Sequence, residues 1–98
     1  MTLPEFIASL QSSEPPYGIK PALTAMWWDG KGDWEMAHDI AQNIAGSTGS
    51  YIHAYLHRKE GDLGNADYWY ARAGRNTPKA SLNEEWEQIV TELLNGRA

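Results

Sequence analysis

With 98 residues and five tryptophans, the chain can enclose one hydrophobic core but is too short for two. It has no cysteine, which excludes disulfide frameworks, thiolate metal ligands and thiol nucleophiles together. The formal net charge of −5 argues against general nucleic-acid binding, and no apolar run approaches the length of a membrane span.

The opening MTLPEFIASLQ lacks the basic start and apolar centre of a signal peptide. Together with the missing cysteines this predicts a cytoplasmic setting. In chain order, the first helix is expected from Leu3 or Pro4 to about Gln11, with Thr2 as N-cap and Leu3, Phe6, Ile7 and Leu10 on one apolar stripe. The segment SSEPPYG stops it. A second helix is expected from Pro21 to about Asp29, ended by Gly30 and Gly32. Asp33 is placed to cap a third, whose buried face is Ala37, Ile40, Ala41 and Ile44. The run GSTGS (Gly46 to Ser50) is expected to be a flexible connector, with Ser50 capping a fourth helix that reaches Glu60.

Gly61 suits a left-handed helix end and Asp62 an N-cap, so the chain should reverse there into a fifth helix that buries Ala66, Trp69, Tyr70 and Ala73. A last helix starts at the capping box Ser81–Glu84 and carries Trp86, Ile89, Val90 and Leu93 on one stripe. The expected fold is therefore all-α, with about six helices in one domain over residues 1–98. Hairpins are expected over 21–45 and 50–78, with a capping helix over 81–95 and the N-terminal helix as the other cap.

The two hairpins repeat at a shift of 29 residues, the interval from Asp33 to Asp62. At that shift Ala25 falls on Ala54, Gly32 on Gly61 and Ala37 on Ala66. In the second copy Ala54, Gly61-Asp62, Ala66, Tyr70, Ala73 and Pro78 resemble a tetratricopeptide (TPR) repeat. Ser50, His53 and His57 depart from that pattern, standing where the family has large residues, and the first copy has no closing proline. The stretch HAYLHRKEGDLGNADYWYARAGR is also similar to a group of small bacterial proteins, a resemblance that supplies no chemistry. The TPR resemblance implies stacked helical hairpins whose inner face binds a peptide or partner protein.

On that resemblance, Tyr51, Tyr55 and Arg58 of the second copy line the inner face, with Met26 and Asp29 in the equivalent places of the first. Aromatic rings beside a guanidinium suit a carboxylate or an extended peptide, whereas the plainer reading is an ordinary half-buried surface. His53 and His57 lie one helical turn apart, with Glu60 a turn further on. They are expected to pack between helices and hydrogen-bond. The same spacing can hold a divalent metal with His38 as an extra ligand, but no metal or cofactor is assigned. Trp28 is the tryptophan expected to be partly exposed, and it stands with His53 and His57 as a candidate for a ligand pocket.

No Ser-His-Asp set, paired catalytic carboxylates or phosphate-binding glycine loop can be placed, so no catalytic residue is assigned and an enzyme is not the leading expectation. The leading reading is a small interaction module for a protein or peptide, with homodimerisation as another way to cover the apolar ends of a two-repeat stack. The alternative is a small-molecule or metal-binding protein, an enzyme among the options, with a pocket at His53, His57 and Arg58.

Overall fold

The computed structural model describes residues 1–96, and among them the chain forms six helices and no strand. These are α1 (Leu3–Ser9), α2 (Pro21–Gly30), α3 (Trp34–Ala41), α4 (Gly46–Glu60), α5 (Leu63–Arg72) and α6 (Leu82–Leu94). The fold is all-α, and none of these helices is long and apolar enough to cross a membrane.

Capping sets most of the boundaries. At α1 the Thr2 hydroxyl accepts from the Glu5 N–H at 3.3 Å, while Glu5 Oε1 accepts from the Thr2 N–H at 2.8 Å. The same reciprocal box stands at Ser81 and Glu84 before α6. Between them lie two matching reversals. Gly32 has φ +88° and Gly61 φ +89°, a left-handed conformation that suits glycine. The next N–H closes each turn: Asp33 donates to the Trp28 carbonyl at 2.9 Å, and Asp62 to the His57 carbonyl at 3.0 Å. Each aspartate then caps the following helix, Asp33 accepting from the Met36 N–H and Asp62 from the Asn65 N–H. Ala37 and Ala66, three residues past the first residue of α3 and α5, are both fully buried, where a small side chain lets the paired helices approach.

The segment Gly46–Ser50 is not a connector. It forms the first turns of α4, with Ala45 as N-cap and Ser50 inside the helix. The reason is a close approach: a Cβ on Gly49 would lie 1.9 Å from the Ile44 carbonyl oxygen, so glycine there lets the helix start against the preceding chain. The first helix is also shorter than its apolar stripe suggests. It ends at Ser9, and Ile7 is left exposed while Phe6 is buried.

α2 pairs with α3, α4 pairs with α5, and α3 packs against α4. α6 crosses the inner face of α2 and α4 and also meets α1, so the two terminal helices come together instead of closing opposite ends. The apolar stripe of α6 supplies Trp86, Ile89 and Val90 to the core. Ile89 and Val90 are fully buried, which contributes roughly 1.5–3 kcal/mol each. Trp86 packs on Phe6 with ring centroids 5.9 Å apart, and its Nε1–H donates to the Met26 carbonyl at 3.0 Å.

Candidate functional site

The inner face of the hairpins, expected to bind a partner segment, is covered by α6. Tyr51, Tyr55, Met26 and Asp29 are all buried. Arg58 reaches across to α6: its Nη1 donates to Glu85 Oε1 at 2.7 Å and its Nη2 donates to the Ala80 carbonyl. Glu85, only 1% exposed, takes a further hydrogen bond on Oε2 from the Tyr70 hydroxyl at 2.6 Å. A second buried carboxylate stands nearby. Asp29 accepts from the Tyr55 hydroxyl at 2.8 Å and from Lys59 Nζ at 2.9 Å. Burial and the Asp29 carboxylate push the Tyr55 phenol far above its ordinary value, and burial with the Glu85 contact does the same for Tyr70. Tyr51 is pushed up to about 12, chiefly by burial, although the Arg75 guanidinium opposes this from 3.8 Å above its ring.

The physical cause of this closure is local to α6. Glu85 lies on the same stripe as Ile89, one turn away, so docking that stripe carries a carboxylate into the core and requires a cation to meet it. What remains open is a cleft of about 410 Å³ lined by Ile7, Leu10, Asp29, Tyr55, Lys59 and Trp86 among others.

The outer side of the hairpin junction holds a second constellation. His53 and His57 stack along α4 with ring centroids 4.7 Å apart. His38 from α3 meets them edge-on, its Nε2 lying 3.0 Å from His53 Nε2. Trp34 stacks on His38 at 4.9 Å and Trp69 on His53 at 4.3 Å, so an indole backs each ring. The Trp34 Nε1–H is itself fixed on the Leu56 carbonyl at 2.8 Å. Glu60 lies 2.6 Å from His57 Nδ1 and, as a carboxylate, can only accept, which places the proton on Nδ1. His57 is buried and the other two are half-buried. A cleft of about 380 Å³, lined by Gln42, Ser47, Ser50, His53, Trp69 and Arg72 among others, borders the cluster.

The sequence places His53 and His57 together, as found. It also puts Arg58 in their pocket, but Arg58 is committed to Glu85 and Ala80. Trp28 is half-buried and packs edge-on against Trp27, ring centroids 5.0 Å apart. Trp34 and Glu85 are residues whose roles the sequence does not assign, and Trp69, expected on the buried face of α5, is only half-buried because it stacks on His53. Only Glu85 left a signal, as an acid on an otherwise apolar stripe.

The His53 imidazole is held down to about 4, first by burial and then by the neighbouring His38 and His57, with Glu60 opposing. The remaining nearby charge is Arg72, whose guanidinium lies 5.3 Å over the Trp69 ring. A folded-state value below the unfolded one means the unfolded chain binds the extra proton. His53 therefore costs no stability above about pH 6.5, and stability falls as the pH drops from there towards 4. Urea unfolding at pH 7 and pH 4.5, with EDTA present, should show a larger loss for the wild type than for His53→Gln. Equal losses would remove His53 as the cause.

Comparison with protein-family models, with curated proteins and with solved structures finds no match to this chain, so its function is argued from its own geometry.

Proposed function

We propose that the chain is a small TPR-like interaction module, working in the cytoplasm, whose inner face grips an amphipathic helix carrying a carboxylate. Its own α6 is the resident helix, and a partner segment of the same pattern, or α6 of a second copy, competes for the place. The observation that carries this reading is Glu85, held at 1% exposure by Arg58 and Tyr70 from α4 and α5. Arg58, one of the residues expected on the inner face, meets the Glu85 carboxylate of the chain's own α6, and this supports the reading. Trp86 inserted towards the Met26 carbonyl supplies the apolar anchor beside that charge contact.

A site filled by its own chain binds an outside ligand with an affinity reduced by the fraction of time it is open. Weakening α6 must therefore strengthen binding in trans. A fluorescently labelled peptide of residues 79–95 should bind the Trp86→Ala chain at least roughly tenfold more tightly than the wild type, by anisotropy. Adding Arg58→Ala should abolish that gain while circular dichroism still reports a helical chain. Equal or absent binding across a folded series would leave the inner face as core alone and end the interaction reading.

A further inference from the structure

We propose that His38, His53 and His57 form a binding site for one transition-metal dication of the zinc class, joining the first hairpin to the second. This goes beyond the helix-gripping reading and stands independently of it. One ring nitrogen from each histidine lies within 4.8 Å of the other two. A tetrahedral ion with metal–nitrogen bonds of about 2.0–2.1 Å needs nitrogens about 3.4 Å apart. The 3.0 Å between His38 and His53 is already close to that, and His57, within 4.8 Å of both, needs only a side-chain adjustment to join them.

Each histidine is oriented by its own partner. Trp34 stacks on His38, Trp69 stacks on His53, and Glu60 accepts the Nδ1–H of His57. A pair of histidines satisfying each other needs no third ring, and three separate supports are what a preorganised ligand set requires. The Glu60 contact leaves the His57 lone pair on Nε2, the tautomer that a carboxylate-backed metal ligand uses. Between His38 and His53 one Nε2–H now faces one Nε2 lone pair. On binding, the donor ring moves its proton to Nδ1, so both present lone pairs and no net proton is released.

Three neutral imidazoles favour zinc, cobalt, nickel or copper over calcium and magnesium, which prefer oxygen ligands. The three helix-borne ligands leave a fourth position for water or a small donor, and the cleft beside His53 offers the route to it. Ser47, Ser50 and Gln42 on that cleft are polar neighbours for such a donor.

The test is zinc and cobalt(II) titration of the full chain. One equivalent of zinc should bind and, at a free concentration about a hundredfold above Kd, raise Tm by roughly 10 °C. Cobalt(II) should give the strong visible absorption of a four-coordinate site, and calcium and magnesium should do neither. His38→Ala should abolish the zinc shift although its helicity in EDTA is retained. Glu60→Gln keeps all three ligands and should weaken zinc by about 10–100-fold, which separates a loaded site from a misfolded one. An unchanged wild-type Tm in saturating zinc overturns the proposal. So does a His38→Ala chain that binds zinc as the wild type does, because the metal would then sit on a surface pair.

Discussion

Arg58→Ala should lower the unfolding free energy by about 3 kcal/mol, and adding Glu85→Gln should restore most of that loss. The estimate rests on asymmetry. Truncating one partner of a buried pair leaves the other charge uncompensated, whereas neutralising both removes the need for a partner. Glu85 is the deeper member: its side chain is 1% exposed against 16% for Arg58. Without the guanidinium, the carboxylate keeps only the Tyr70 hydroxyl, and the Ala80 carbonyl loses its donor. Water entering the space left by Arg58 holds the cost to the lower end of the usual 3–5 kcal/mol.

Urea unfolding followed by tryptophan fluorescence measures this directly, and in a domain of this size such a loss shifts Tm by more than about 10 °C. A loss below about 1 kcal/mol would class the pair with solvent-exposed bridges and leave α6 held by its apolar stripe alone. The Lys59–Asp29 bridge obeys the same rule. Lys59 is 36% exposed but Asp29 only 1%, so Lys59→Ala also strands a buried carboxylate and should cost well over about 1 kcal/mol, at the lower end of the usual range.

The features legible in the sequence were those written in a few adjacent residues. The Thr2 N-cap, the Ser81–Glu84 box and the two Gly-Asp reversals each specify their local backbone through hydrogen bonds within a turn, and all appear as expected; that Glu5 completes a box with Thr2 is not read from the sequence. What failed depended on contacts that composition and periodicity do not encode. The Gly46–Ser50 run has the composition of a loop, and only the Ile44 carbonyl packed against Gly49 makes it the start of α4. The inner face read as a partner-binding surface because the resemblance to tetratricopeptide repeats carries no information on where the chain's own α6 docks. Trp86 finds the Met26 carbonyl across a separation of 60 residues. The histidine cluster lay between these cases. One turn of helix joins His53 to His57, but His38 converges on them only because α3 packs on α4.

Gly49→Ala and Gly64→Ala, both glycines on helices, should shift stability in opposite directions. At Gly64 a Cβ meets nothing within 4 Å, and φ is not positive. Alanine there reduces the freedom of the unfolded chain without strain and should stabilise by about 0.4–1 kcal/mol. At Gly49 the same Cβ would fall 1.9 Å from the Ile44 oxygen and 2.8 Å from its carbonyl carbon, both backbone atoms that no rotamer change can move aside. Relieving that overlap requires shifting the start of α4 or the chain before it, which costs about 2 kcal/mol or more even after the gain in helix propensity. Chemical denaturation of the two variants decides the matter. A neutral or stabilising Gly49→Ala would mean that residues 46–50 behave as the loop their composition suggests. The histidines provide a second readout: His53 follows Gly49 by one turn, so a displaced α4 start carries it from its 3.0 Å contact with His38. Zinc affinity should accordingly fall in Gly49→Ala and stay unchanged in Gly64→Ala.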